Sequence, residues 1–367
     1  MYLIIGSGLS GIVIAERIAN VLKKEVLIIE KRNHIAGNIY DFKDENGIFI
    51  HKYGPHAFHT NSKKVWDYLS RFTGWYPYFH KVRAVVDGIE VPLPFNLNSI
   101  YKAFPPTLAA KLEAKLIDSF GYNEKIPILK LKEFDDKDLQ FLSNYIYEKV
   151  FLGYTLKQWG LSPEKLYSSV TARVPVYISR DDRYFQDKYQ GIPENGYTAM
   201  VENIRDNPLI KIELNTDYKD IKNKLKFEKL IYTGCIDEFF DFKFGELCYR
   251  SLNFKPKTYD VEFFQSLAQM NYPENHDYTR VTEYKYFLNT QASATTVSFE
   301  YPQKYETGKN DPYYPIPNDD NNNMYIKYKE EAEKLDDVIF VGRLAEYKYY
   351  NMDQIIARAL EVFETVF

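Results

Sequence analysis

The chain opens on an unbroken apolar run, Tyr2-Leu3-Ile4-Ile5, the pattern of a strand buried on both faces. From Ile12 to Leu22 the apolar side chains Val13, Ile14, Ile18 and Leu22 recur near helical spacing, and Glu25 to Ile29 reads as a second buried strand. Ser62 to Phe72 predicts a helix, with Val65, Trp66, Leu69 and Phe72 at three- and four-residue steps and Asn61 or Ser62 as its cap. His80 to Pro94 reads as a hairpin turning at Asp87-Gly88. Residues 97–170 lack strand alternation and hold helical segments such as Thr107 to Ser119 and Lys137 to Phe151. Residues 171–190 and 245–302 are rich in Tyr, Val, Thr and Phe and alternate in part, which predicts an antiparallel sheet. Leu230 to Tyr232, before Thr233-Gly234, and Val338 to Val341, before Gly342-Arg343, are apolar strands of the kind that return a chain to a buried sheet. Asp319 to Asn323 is polar throughout and reads as a loop. The last helix, about Met352 to Phe367, carries Ile355, Ile356, Ala359, Leu360 and Phe363 on one side.

Between the first strand and the first helix stands Gly6-Ser7-Gly8-Leu9-Ser10-Gly11. Strand, glycine loop, helix and second strand together make the βαβ dinucleotide fingerprint. Gly6 allows the tight turn, Gly8 lets the backbone approach a pyrophosphate, and Gly11 lets the helix pack close to the strand. The helix N-terminus adds amide donors and a positive dipole end. Glu30, at the end of the second strand, is placed to accept ribose hydroxyls, and an acid there argues against a 2′-phosphate. Lys31-Arg32, followed by the turn Ala36-Gly37-Asn38, is the habit of FAD-binding folds. The expected class is therefore α/β. A discontinuous FAD-binding Rossmann-like domain (1–78, 191–244 and 325–367) is expected with an inserted helical domain (97–170) and an antiparallel β-sheet domain (79–96, 171–190 and 245–324). The residues expected at FAD are Gly6 through Gly11, Glu30, Lys31, Asn38, His56, Arg343 and Met352.

Composition narrows the partners. In 367 residues, 47 Lys+Arg and 51 Asp+Glu nearly cancel, which disfavours a broad basic surface for nucleic acid. No window of 18 uninterrupted apolar residues occurs, so no transmembrane helix is expected, and the N-terminus reads as a strand, not a signal peptide. Two cysteines, Cys235 and Cys248, exclude a disulfide scaffold and fit a reduced, cytoplasmic protein. His51, His56 and His59 fall close together, but no helical metal frame and no neighbouring cysteine accompany them. A Gly-Pro loop carrying polar rings beside a cofactor is the better reading, and no metal is expected. The 33 Tyr and 25 Phe are unusual; tyrosine couples an apolar body to one polar tip, suited to holding something flat and wet.

Several blocks together resemble the prokaryotic UDP-galactopyranose mutase family. They are Gly6 to Gly11 with Glu30 to His34, His51-Lys52-Tyr53-Gly54, Phe58-His59-Thr60-Asn61, Leu93-Pro94-Phe95-Asn96 and Gly153-Tyr154-Thr155-Leu156-Lys157-Gln158-Trp159-Gly160. Farther on come Tyr184-Phe185, Tyr189 to Pro193, Gly196-Tyr197-Thr198, Tyr249-Arg250-Ser251-Leu252 and Gly342 to Tyr350. The resemblance implies a flavoenzyme without net redox. In it the N5 of reduced FAD attacks the anomeric carbon of a UDP-sugar and displaces UDP, the sugar ring opens and closes on the other hydroxyl, and UDP returns to release product. It implies diphosphate-binding arginines at Arg173 and Arg280, and a histidine near flavin and sugar at His59. It implies substrate contacts at Phe151, Tyr154, Thr155, Trp159, Tyr184, Arg250, Tyr313 and Tyr349, a lid within 153–180, and a homodimer supplying cell-surface polysaccharide. The chain departs from the family at Ala36, Pro55, Ala57 and Cys235, and most of all at Asn351, where an active-site carboxylate is usual. Those departures bear on which sugar is used, with UDP-galactose first and UDP-L-arabinopyranose or UDP-N-acetylgalactosamine as alternatives. A flavin oxidoreductase and a non-catalytic UDP-sugar binder are the rival classes.

Overall fold

The first strand, Tyr2–Ile5, lies at the centre of a five-stranded parallel sheet, in the order Ile210–Glu213, Val26–Ile29, Tyr2–Ile5, Leu230–Tyr232, Val338–Phe340. The computed structural model describes residues 1–167, 175–222 and 224–367. Alternation sends Leu3, Leu27, Ile29 and Leu230 into one small core on one face. Ile4, Ile28 and Ile231 belong to the larger core, with Ile12 and Val13 of the helix Leu9–Arg17 and Ile356 and Ala359 of the C-terminal helix Met352–Val366. Close approach of the first helix depends on Gly11, where a Cβ would lie 2.0 Å from the carbonyl oxygen of Gly6.

A seven-stranded sheet follows the order Tyr314–Pro315, Tyr249–Tyr259, Thr295–Lys304, Arg280–Glu283, Gln269–Asn271, Val82–Val86, Ile89–Leu93. Every pairing in it is antiparallel except that of Gln269–Asn271 with Val82–Val86. The predicted hairpin turns at Asp87 (φ 49°) and Gly88 (φ 77°), two left-handed residues whose twist matches that of the flanking strands. Its Val82, Ala84, Val86 and Val91 pack against Leu112, Leu116, Leu139 and Ile146 from the helices Pro106–Phe120 and Lys137–Ile146. The predicted Ser62 helix is Lys63–Leu69, and the Ser62 hydroxyl accepts from the Val65 amide.

Two expectations change. Asp319 to Asn323 is not a loop but the start of a helix, Asp319–Ala332. The Asn318 side chain caps it by accepting from the Asn321 amide, Asp319 and Asp320 suit the positive end of the helix dipole, and Tyr328 anchors it in a core. In 171–190, residues 171–174 lie outside the described residues. The described remainder gives Val176–Tyr177, paired with Lys125–Ile126, and the first residues of Tyr189–Pro193, paired with Phe58–Thr60. Neither strand joins the seven-stranded sheet.

Candidate active site

A long cleft opens at the carboxyl ends of the parallel strands, the place where α/β sheets bind ligands. Gly6, Gly8, Leu9 and Ser10 line it from the glycine loop, Glu30, Lys31 and Arg32 from the end of the second strand, and Asn38, His56, Arg343 and Met352 are also in its lining. Of the residues expected at the cofactor, Ser7 and Gly11 alone do not line it. Ser7 instead orients Glu30, donating from its amide (3.0 Å) and its hydroxyl (2.8 Å) to one carboxylate oxygen, while the Arg32 amide donates to the other (3.0 Å). Gly8 and Gly37 leave the floor bare: a Cβ on Gly37 would come within 2.8 Å of the Gly8 Cα. Backbone kept free of side chains at a helix N-terminus, with an oriented carboxylate beyond it, fits a dinucleotide. The His56 Nδ1 is buried without a hydrogen-bond partner and offers that ligand one more polar contact. Sequence reading did not select Thr216, Asp217, Thr233, Gly234 or Asp311, which also line the cleft. They come from distant segments that only folding collects.

Arg343 connects this cleft to a second cluster. Its guanidinium stands 5.4 Å from the Tyr314 ring and 5.2 Å from the Tyr349 ring. These two rings stack at 4.9 Å, and Trp159 lies 6.0 and 6.2 Å from them. Arg280 opens the strand Arg280–Glu283 and faces Glu300 across the ladder, so the two side chains meet at 2.5 Å. Burial opposes the guanidinium charge, but Glu300, Tyr154 and Tyr314 outweigh it, and the pKa of Arg280 rises. The Arg280 side chain keeps 18% exposure and Glu300 2%, so the cation has an open face and the carboxylate does not. Cation, phenols and indole thus converge beside the dinucleotide cleft, an arrangement able to grip a diphosphate and a flat base.

The structure distributes the other expected residues unevenly. Tyr154 neighbours Arg280, whereas Phe151 is buried in the helical core and Thr155 is also buried. Arg250 donates to the carbonyls of Gln158 (2.8 Å) and Lys157 (3.1 Å), holding the end of the helix Gly153–Trp159. Tyr313 packs with Tyr53 and Leu252 and lines the dinucleotide cleft; its neighbour Tyr314, whose ring stands 6.2 Å from that of Tyr313, stacks on Tyr349 beside Arg343 and was not selected from sequence. His59 stacks on Phe185 at 3.5 Å and bonds Asp187 through Nδ1 (2.9 Å), outside the lining of the dinucleotide cleft. Tyr184 packs edge-on against Phe185 and against His80, another residue not selected from sequence. Asn351 caps the C-terminal helix in a reciprocal box with Gln354. Arg173 lies outside the described residues. Among the described residues, no group of His, Cys, Asp or Glu could hold a metal ion, and no helix is long and apolar enough to cross a membrane.

Burial pushes the imidazoles of His51 and His80 down to about 3, and for His80 the nearby Arg280 and His59 add to the effect. A neutral His80 adds no second cation beside Arg280. The unfolded chain takes up these protons near pH 6.5 and the folded chain does not, so stability is full above that pH and is lost as pH falls toward 3. Each histidine contributes a slope of about 1.4 kcal/mol per pH unit within that window. Calorimetry from pH 7.5 to 5 is expected to show a falling Tm, and His80→Gln to flatten the fall. An identical slope in the variant rules out His80 as its source.

The family model described as UDP-galactopyranose mutase matches residues 149–349, and that of an NAD(P)-binding Rossmann-like domain matches residues 4–72. A Klebsiella pneumoniae protein named "Probable UDP-galactopyranose mutase" is 38% identical over 363 residues, covering 98% of this chain and 92% of that protein. The dTDP-fucopyranose mutase of Escherichia coli is 36% identical over 366 residues, covering 98% and 96%. The UDP-galactopyranose mutase of Mycoplasma genitalium is 36% identical over 376 residues, covering 98% and 93%. The crystal structure of a reduced UDP-galactopyranose mutase aligns with a TM-score of 0.74 at 17% identity, over 100% of this chain and 95% of that one. That likeness is one of fold.

Proposed function

The chain belongs to the UDP-galactopyranose mutase family, and on that premise we propose that it interconverts UDP-galactopyranose and UDP-galactofuranose with reduced FAD as its cofactor. The observation that carries the reading is the meeting of two sites at Arg343. One is a dinucleotide cleft with a bare glycine floor; the other is an Arg280, Tyr314, Tyr349 and Trp159 cluster suited to a nucleotide diphosphate. When bound, reduced FAD supplies a nucleophilic nitrogen for covalent exchange at the anomeric carbon without net redox. Gly8, Glu30 and Asn38 hold and orient that cofactor. Arg280, kept charged by Glu300, binds the leaving diphosphate and the Tyr314 and Tyr349 hydroxyls bond its oxygens, with Arg173 expected to assist. Trp159 and Tyr154 cover the nucleoside end and exclude water. We place the enzyme in the cytoplasm as a homodimer that supplies galactofuranose for cell-surface polysaccharide.

Chromatography of nucleotide sugars after incubation with dithionite-reduced enzyme tests this. Ring exchange of UDP-galactose is expected, with no turnover of an electron acceptor. No exchange on any nucleotide sugar defeats the reading, and acceptor-dependent turnover favours an oxidoreductase. A relative that acts on dTDP-fucopyranose supports a second reading, the same exchange on a related sugar nucleotide. Ala57 and Asn351 bear on that choice, so the assay includes dTDP-fucose, UDP-L-arabinopyranose and UDP-N-acetylgalactosamine. Because Asn and Asp cap helices about equally, Asn351→Asp is expected to leave stability within about 0.5 kcal/mol while shifting the ratio of kcat/KM between sugars. An unchanged ratio dismisses Asn351 as a determinant.

A further inference from the structure

The helix Gly153–Trp159 bears two of the aromatic side chains of the proposed substrate site, and one buried-stem lysine fastens it. The Lys157 ammonium lies within hydrogen-bond reach of four main-chain carbonyls of a single turn, those of Tyr272, Glu274 (3.0 Å), His276 (3.1 Å) and Tyr278 (3.3 Å), and shares its three N–H donors among them. That turn joins the strand Gln269–Asn271 to the strand beginning at Arg280. It is closed by a bond from the Tyr272 amide to the Thr279 carbonyl (2.8 Å). The helix lies hard against it at Gly153, where a Cβ would stand 2.3 Å from the Pro273 carbonyl oxygen. Lys149, in the preceding helical turn, bonds Glu274 of the same turn (3.1 Å) and Asp87 of the hairpin (2.6 Å), whose amide also donates to Glu274 (2.8 Å). Arg250 holds the far end of the helix by the carbonyls of Lys157 and Gln158.

We propose that Lys157 is a positioning residue for nucleotide-sugar binding: by gathering the 272–278 turn around its ammonium, it fixes the helix of Tyr154 and Trp159 at a set distance from Arg280. The base-covering and diphosphate-binding halves of the site sit on different elements, the helix and the sheet. Among the described residues no strand ladder joins them, so side-chain clamps act with the close Gly153 contact to set their spacing. An ammonium suits the task because it donates from one point in several directions, which a planar guanidinium does not. The inference rests on the nucleotide-sugar reading above.

The test is calorimetric titration of UDP into flavin-loaded protein, wild type against Lys157→Met, which keeps the stem and removes the charge. Lys285→Met serves as control: Lys285 likewise donates to main-chain carbonyls, of Glu262 (2.7 Å) and Ala292, but touches neither the helix nor the turn. Lys157→Met is expected to bind UDP about 30-fold more weakly, with KM raised in step and kcat within about threefold of wild type. Lys285→Met is expected to lose thermal stability and keep its UDP affinity. If Lys157→Met does not fold, Lys157→Arg decides, with an expected weakening of about fivefold at unchanged charge. UDP affinity in the folded variant equal to wild type, or lost equally in Lys285→Met, overturns the role of Lys157. Wild-type protein that binds no UDP overturns the nucleotide-sugar reading itself.

Discussion

Arg280→Ala is expected to lower kcat/KM for the UDP-sugar about 1000-fold, the loss that follows if Arg280 is, as proposed, the preorganised cation for the leaving diphosphate. The same change strips Glu300 of its partner. A carboxylate left buried and unpaired costs about 3 kcal/mol, so the variant is also expected to melt earlier. These two consequences separate in a double variant. Adding Glu300→Gln leaves a neutral amide in the same volume, and Tm is expected to recover while turnover does not. Activity that returns together with Tm means that Arg280 acts only as the counter-ion of Glu300, and the diphosphate assignment falls. Steady-state rates and calorimetry on the three proteins give the answer.

Gly8→Val is expected to yield folded protein that holds at least about tenfold less FAD per chain, because the valine carbons occupy the place where backbone meets pyrophosphate. The backbone at Gly8 is extended (φ −72°, ψ −177°), which valine adopts readily, and a Cβ there meets only the Gly37 Cα, at 3.9 Å. Gly11→Val is the contrast. Its Cβ would drive into the Gly6 carbonyl at 2.0 Å, so that variant is expected to lose the fold together with the cofactor. The ratio of flavin to protein absorbance, read beside far-ultraviolet circular dichroism, distinguishes them. A fully yellow Gly8→Val protein refutes the assignment of this cleft to a dinucleotide.

The two glycines also mark how far the residue pattern reached. Local spacing made Gly6 to Gly11, Glu30 and both flanking strands legible, since a βαβ unit closes within about thirty residues and its requirements are steric. Hairpin and helix starts were legible for the same reason: Asp87-Gly88 and Ser62 act on backbone groups a few residues away. The Asp319 helix escaped because its cap and its buried Tyr328 count for more than the polar run between them. Family-like motifs drew attention to Arg280 and Trp159, but did not single out Tyr314 or foresee that Arg250 also bonds helix carbonyls. Those outcomes depend on which segments pack together and on which carbonyls a side chain then reaches, as when Arg250 meets Gln158 across 92 positions of the chain. By itself the sequence determined the glycine loop between strand and helix and the α/β class, and supplied the residue types proposed to hold a diphosphate. Only the tertiary structure decided their partners. An ion pair such as Arg280 with Glu300, or an ammonium within a ring of carbonyls such as Lys157, exists through distances that chain order does not encode.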